Sequence, residues 1–509
     1  MERALGALGE ANRAPWLIGV AFGLLLLGWV FGMPPGGAPD EPQHYIRAVG
    51  ISTGDLAGSP ETDRPWRDWG ADHERYVNAT TRMVRVPAGL APDQFGCNRF
   101  APEKSAACAD DASSNPASAV LPTYVGAYAP FPYLLPALTI RFEDEARPAL
   151  LAGRIAAALL VWVLLVTASF LVIGDRPSCI SVFGLLLAVT PMAMFAGASL
   201  APSGLEIAAA ICWWSALARV SRPEPAGWPA PAALTGAGMA LALARPIGPA
   251  WVVLAIATTA AYVGPERWRT LLRSDRRYLA ALIATVLAAA ATLAWSAVFI
   301  HAGAIFDTSR FWGWVVAAVR VIPDILNQEI GVFGWLDTPL PPLLYLVWEA
   351  MVAAIVVGSL LVARERRTLV VLCLLVVALL LPVAISVFVI SPAGWPNGIQ
   401  GRYFLPIVAG VPILVAEPLA SRLRLRLAVQ QAAGLCASLA IAGSQLAAWW
   451  IFARRNAVGV DGPLWFLAQP EWTPPAGWGP WVVVATLGSV LIVTAAATAA
   501  RQAETAAGD

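Results

Sequence analysis

The chain is poor in charge. Only 13% of its 509 residues are Asp, Glu, Lys or Arg, about half the roughly 25% of a soluble domain. So little charge cannot cover a water-facing surface, which excludes a soluble enzyme and a disordered chain. Lysine is nearly missing: Lys104 is the only one. The formal net charge is +1, so bulk charge offers nothing to a nucleic acid. Long alternating polar and apolar segments are absent, which excludes a transmembrane β-barrel. There is no Walker A motif, no G-x-G-x-x-G ahead of a helix, no H-E-x-x-H and no G-x-S-x-G. ATP-driven transport and soluble-type nucleotide binding therefore lack support. No repeat of about 20–50 residues marks a solenoid.

What is abundant is apolar sequence. The hydrophobic share is 58%, gathered in runs of about 18–24 residues that predict an all-α polytopic membrane protein. About twelve spans are expected, near 15–33, 148–173, 179–198, 203–219, 230–245, 247–263, 279–300, 341–362, 368–390, 403–420, 428–451 and 480–500, with ends uncertain by roughly 2–4 residues. The first run, from Trp16 to Met33, is long for a signal peptide and lacks a clear cleavage site, so it reads as a retained span.

Arginine placement orients the spans. Arg3, Arg13, Arg176, Arg219, Arg222, Arg267, Arg269, Arg273, Arg276, Arg277, Arg364, Arg366, Arg367, Arg422, Arg424, Arg426 and Arg501 fall on one side. The positive-inside rule makes that side, and both termini, cytoplasmic. Arg454 and Arg455 are a local exception. The opposite, extracytoplasmic side holds a large first loop, about residues 34–147, rich in Asp and Glu, and all three histidines, His44, His73 and His301. Two shorter outer segments, near 301–340 and 453–479, carry Trp312, Trp314, Trp335, Trp465, Trp472 and Trp478. They predict an interfacial aromatic belt and short helices lying on the membrane. Cys97 and Cys108, the only cysteines of the outer loop, are a disulfide candidate in an oxidising compartment. Cys179, Cys212, Cys373 and Cys436 read as small apolar fillers.

Directly after the first span comes PPGGAPDEPQHYIRAVGISTGDL. The Pro/Gly run turns the chain at the membrane surface, and Asp40-Glu41-Pro42 opens a helix. His44 and Arg47 are spaced to share a face with Asp40. The acidic pair either caps this helix or supplies a general base at the membrane surface. It is also a candidate holder of a divalent cation, Mg or Mn, through hard oxygen ligands.

The stretch PDEPQHYIRAVGISTGDL resembles the signature of a bacterial family of polytopic membrane proteins of unknown function, whose members resemble the GT-C glycosyltransferases. PTYVGAYAPFPYLLP at 122–136, GVFGWLDTPLPP at 331–342 and QGRYFLP at 400–406 resemble further stretches of that family, in its order. The resemblance implies a GT-C-like catalytic module over residues 1–420, followed by C-terminal helices and an outer loop over 421–509. It implies inverting transfer of a sugar from a polyprenyl-phosphate-linked donor to an envelope glycan or glycolipid acceptor. The site would lie on the extracytoplasmic face of the bacterial plasma membrane, with membrane lipids as neighbours and no nucleic acid. Asp40 is then the catalytic base, with Glu41 beside it. The leaving phosphate needs cations, and guanidinium suits it. Arg402 is the first candidate, with Tyr403 lining the sugar site. Arg245 and Arg154 interrupt apolar stretches, which marks either function or, respectively, snorkelling and a structural ion pair. Asp337 either binds sugar hydroxyls or caps a turn. His44 either tunes Asp40 or packs at the helix base. Glu206 is expected to complement a helix dipole, and Glu349 to be a lone buried acid. Two rival readings remain: a secondary transporter or lipid-carrier flippase, and a non-catalytic envelope-assembly protein.

Overall fold

A computed structural model describes residues 13–60, 79–111, 117–173, 178–223, 226–300, 311–362, 365–385, 399–423 and 427–508. His73 and His301 lie outside them. Among the described residues the continuous apolar runs fold as helix, because a chain without water must satisfy its backbone internally. Helix α1 (Arg13–Gly32) leads into a short helix α2 (Glu41–Ser52). A three-stranded sheet of β1 (Ser59–Pro60), β2 (Arg82–Val86) and β3 (Ala119–Thr123) follows, and then α3 (Leu134–Ile140). The bundle continues with α4 (Ala146–Ile173), α5 (Cys179–Ala188), α6 (Pro191–Gly197), α7 (Pro202–Ser221), α8 (Pro229–Ala244), α9 (Gly248–Val263), α10 (Pro265–Ser274) and α11 (Arg276–Phe299). Next come α12 (Phe311–Arg320), α13 (Ile322–Gly331), a small hairpin of β4 (Val332–Phe333) and β5 (Thr338–Pro339), α14 (Pro342–Val362) and α15 (Arg366–Ile385). The last elements are α16 (Leu405–Val408), α17 (Gly410–Arg422), α18 (Leu427–Val458) and α19 (Trp478–Gly508).

The described helices differ in how far they reach. Among the described residues seven helices are long and apolar enough to cross a membrane, or nine if two bent pairs each count as one. Helix α8, with 16 residues, reaches only about 24 Å, short of a hydrocarbon core of about 30 Å. Helix α7 carries Glu206 and Arg219 and is buried along almost its whole length, packed by α4, α8 and α17. The α5–α6 pair bends by 57° at Pro191. The α9–α10 pair bends by 103°, but α10 is a charged surface helix containing Arg267, Arg269 and Arg273.

Helix α1 is central. It packs on α4 and α19, and α18 also reaches it. Trp449 of α18 donates to the Gly28 carbonyl at 2.9 Å and packs over Gly32, where a Cβ would stand 3.1 Å from its indole nitrogen. Trp29, Phe195, Phe333 and Phe452 meet edge-on or tilted, with centroids 5.0–6.3 Å apart, and form an aromatic plug beneath the first loop. Trp472 and Trp478, expected in an interfacial belt, are instead buried together with Phe466 and Trp449.

The first loop is a packed unit. In β2 the alternate residues Val84 and Val86 turn inward, as the two-residue period requires. They join Tyr45, Ile46 and Val49 of α2 with Tyr133 and Ile140 in a second core. Strands β2 and β3 are antiparallel, with Arg82 opposite Thr123 and Val86 opposite Ala119. Arg82 donates to the Phe299 carbonyl, and the Trp295 indole to Ala127 at 2.9 Å, so the loop is tied to α11. Cys97 and Cys108 are joined in a disulfide, their Cα atoms 6.2 Å apart. Alkylation without reductant should leave both unlabelled in an intact-mass measurement, and labelling of both would contradict the bond. Of the cysteines expected to fill the core, Cys373 and Cys436 are instead exposed on the helix surface.

One further expectation changes. Glu349 lies on the exposed face of α14 and is not a buried acid. Arg455, out of place by the positive-inside rule, is held by Asp337 at 2.8 Å and by the Asn98 carbonyl at 2.8 Å. Its charge is used inside the protein.

Candidate functional site

Between α1 and α2 the chain turns through Gly36, which has φ 72°. Any Cβ there would collide with the backbone of Phe95 and Gly96. Trp335 donates to the Gly36 carbonyl at 3.0 Å. The turn is pinned from two sides and delivers Asp40 and Glu41 to fixed positions.

The neighbouring carboxylates face different ways. Glu41 is fully buried. It accepts from Arg154 Nε at 2.8 Å and Nη2 at 2.5 Å, and from the Leu200 amide at 3.1 Å. Arg154 also donates to the carbonyls of Met33 and Pro34, at 2.7 and 2.8 Å. This bidentate pair locks α4 to the end of α1. Both oxygens of Glu41 and most donors of Arg154 are spent on these partners, so Arg154 forms a structural ion pair.

Asp40 stands at the N-cap position of α2 but does not cap it. Its φ of 66° puts a non-glycine residue in the left-handed region, at a cost of roughly 1 kcal/mol or more. That backbone turns the carboxylate away from the helix. Oδ1 accepts from the Tyr124 hydroxyl at 2.6 Å, and Oδ2 from Arg402 Nη2 at 2.7 Å. The side chain stays 24% exposed. Burial pushes its carboxyl up, but Arg402, the Tyr124 hydroxyl, His44 and Arg245 together hold it below the usual value.

Arg402 lies in a turn of 3₁₀ helix, Gly401–Tyr403, just before α16. Gly401 is required there, because a Cβ would collide with the Ile325 carbonyl and stand 2.7 Å from the Glu329 amide. The Gly401 amide donates to Gln328 at 2.8 Å, so α13 seats the turn. Arg245 ends α8, at the break before Pro246. Its Nη1 meets Glu206 of α7 at 3.2 Å, and its guanidinium stands 4.3 Å from the centre of the Tyr403 ring. Arg402 is 5.5 Å from the same ring. Two guanidiniums thus flank one aromatic side chain beside one carboxylate. Glu206, expected to face a helix dipole, anchors Arg245 instead.

His44 is buried one turn into α2, its Nδ1 2.7 Å from the Tyr133 hydroxyl. Burial pushes it down to about 3, Asp40 opposing and Arg402 and Arg245 adding to the fall. The imidazole is neutral at physiological pH. In the unfolded chain it takes a proton below about 6.5, which the folded chain refuses. Acidification from pH 7 to 5 should therefore cost the fold about 2 kcal/mol from this group. His44→Gln should show a smaller fall in Tm across that range, and an equal fall would contradict the assignment.

Other expected ligands are spent elsewhere. Arg47 donates to the carbonyls of Leu56 at 2.5 Å and Tyr128 at 2.8 Å, bracing the loop. Asp337 is committed to Arg455 and to the Thr338 hydroxyl at 2.9 Å. A divalent cation does not fit the acidic pair. Asp40 and Glu41 diverge onto separate arginines, and among the described residues no three His, Cys, Asp or Glu side chains converge. A hard cation needs more oxygen ligands than that.

The model of a family described as predicted membrane protein (DUF2142) matches residues 22–411. The chain belongs to this family. The DUF2142 match runs from α1 into α17 and takes in Asp40, His44, Tyr124, Arg245, Arg402 and Tyr403. No curated protein matches the chain. Two crystal structures of ArnT from Cupriavidus metallidurans are similar to it, at 14% identity. The one bound to undecaprenyl phosphate has a TM-score of 0.41 and covers 96% of this chain and 77% of its own. The apo one has a TM-score of 0.40, with 98% and 78% covered.

Within the DUF2142 segment, Tyr124 and Tyr133 are the site residues that sequence reasoning overlooked. The tyrosines sit in PTYVGAYAPFPY, a stretch prominent for its Tyr and Pro content. The hydroxyls of two of its three tyrosines meet two of the three titratable residues of the PDEPQH motif, Tyr124 meeting Asp40 and Tyr133 meeting His44.

Proposed function

We propose that the chain is a membrane glycosyltransferase. It would move a sugar from a polyprenyl-phosphate-linked donor to a cell-envelope acceptor on the extracytoplasmic face, with inversion, using the module within residues 1–420. The observation that carries this reading is the pairing of a partly exposed carboxylate, Asp40, with Arg402, beside a second guanidinium, Arg245, that shares the Tyr403 ring, directly after the first membrane span. A lipid-linked donor keeps its tail in the bilayer and its phosphate at the surface. The acceptor hydroxyl arrives from water, so base and cations belong together at that boundary.

In the reaction Asp40 takes the proton from the acceptor hydroxyl. The oxygen forms its bond to the anomeric carbon as the bond from that carbon to the phosphate oxygen breaks. The electron pair leaves with the lipid phosphate, and the two guanidiniums stabilise that charge. Tyr403, close to both of them, would line the sugar. The plasma-membrane location and the cytoplasmic termini rest on the arginine distribution. The transporter reading is weaker. Carrier sites are built at the bilayer midplane by paired broken helices. Of the two bent pairs here only α5–α6 is apolar on both sides of the bend, and Asp40 lies outside the spans.

Arg402→Ala should raise KM for a polyprenyl-phosphate sugar in purified protein by about tenfold or more, since a charge-assisted phosphate contact is lost. Donor affinity equal to wild type would remove Arg402 from the phosphate site and the transferase reading with it.

A further inference from the structure

The five buried or half-buried ion pairs of the described residues are not built alike. Glu41, Glu206, Asp337 and Glu417, paired with Arg154, Arg245, Arg455 and Arg222, have side chains 0–10% exposed, whereas Asp40 is 24% exposed. Arg154 and Arg455 spend further donors on backbone carbonyls, and Arg222 grips both oxygens of Glu417. Among the described residues the one hydrogen bond from the Arg402 side chain runs from Nη2 to Asp40, and its buried Nε, like that of Arg455, meets no acceptor there. A guanidinium has five donors to place. Arg402 is thus nearly enclosed yet mostly unsatisfied, beside a second cation, Arg245, already anchored by Glu206.

We infer that Arg402 is exchanged between Asp40 and the phosphate of the incoming substrate, so that the empty site holds its own base occupied and donor binding releases it. The inference rests on the transferase reading above and adds an order of events to it. With the site empty, the carboxylate bonds to Arg402 and is a poor proton acceptor. A phosphate anion drawn to Arg402 and Arg245 offers more acceptor oxygens than one carboxylate, including one for the idle Nε. Arg402 turns to it, and Asp40 loses a cation and gains an anion nearby. Both changes favour its protonation, which is what a general base requires. Tyr124 keeps its hold on Oδ1 and leaves the carboxylate aimed, which makes it a positioning residue.

The exchange makes a prediction opposite to that of an ordinary contact residue. Removing the charge of Asp40 should tighten phosphate binding, because the competitor for Arg402 is gone. The test is equilibrium binding of a short-chain polyprenyl phosphate to the full chain in nanodiscs. Asp40→Asn, and Asp40→Ala as a second neutral variant, should bind about tenfold tighter than wild type. Asp40→Glu should bind like wild type, and Arg402→Ala should abolish the gain. Wild-type binding with no gain, or a loss, in both neutral variants would overturn the exchange while leaving the lipid-phosphate reading standing. No binding by wild type or any variant would overturn both. Inorganic phosphate and phosphatidic acid are run beside it. The same gain with inorganic phosphate alone would support the exchange but assign it to a soluble phosphate, and the same gain with phosphatidic acid alone would assign it to a bilayer headgroup.

Discussion

Asp40→Asn is expected to lower sugar transfer by about 10²–10⁴-fold, the range that a positioned general base contributes. Asparagine has nearly the same shape. It tolerates the left-handed backbone at this position, and its amide oxygen can still accept from Tyr124. What disappears is the proton acceptor. The helix should be indifferent, since the Asp40 side chain caps nothing. Tm should fall less than on breaking a fully enclosed pair, because the Asp40 side chain is 24% exposed, while turnover collapses. If the exchange of Arg402 operates, the same variant also binds the donor phosphate more tightly, so kcat and donor affinity move in opposite directions. Turnover within a few-fold of wild type would remove Asp40 from the base role.

Glu41→Gln should have the larger effect on stability. The Glu41–Arg154 pair is fully enclosed, with side chains 0% and 4% exposed. Removing one partner strands a charge where neither water nor another acid reaches it, a loss of about 3–5 kcal/mol. Arg154→Met should do similar damage from the other side. The double variant Glu41→Leu with Arg154→Met should recover much of the loss, because two well-packed apolar side chains replace the pair. Thermal unfolding in detergent checks this directly, and single variants as stable as wild type would contradict the structural role. Adjacent carboxylates are thereby separated by experiment: one change stops turnover in a folded protein, the other unfolds it.

Much of this architecture is legible in the sequence, for identifiable reasons. A continuous apolar run has one stable answer in a bilayer, and every such run among the described residues is helical. The number of spans is less legible. Apolar content alone does not distinguish a spanning helix from one wrapped by protein, as α7 is, or from one too short, as α8 is. The sheet in the first loop is hidden because its strands have only two to five residues, too few for alternation to stand out. Asp40 and Glu41 look equivalent as neighbours before a proline. They are told apart by Arg402 and Arg154, which lie 362 and 113 residues further along the chain. Arg47 has the spacing of a site residue, but its long side chain reaches loop carbonyls that helical periodicity does not reveal. His44 keeps its place because its partner, Tyr133, comes from the same first loop. Arg455 breaks the positive-inside rule for a reason visible only in three dimensions, since Asp337 neutralises it.

The central claim is that Asp40, Arg402 and Arg245 surround the phosphate of a lipid-linked donor. The most direct measurement is a cryo-EM structure of the purified chain in nanodiscs with a polyprenyl phosphate. The account predicts phosphate density between Arg402 and Arg245 beside the Tyr403 ring, the prenyl tail running into the bilayer, and Arg402 detached from Asp40. Density for the lipid at another face of the bundle, with the Asp40–Arg402 pair intact, would contradict it.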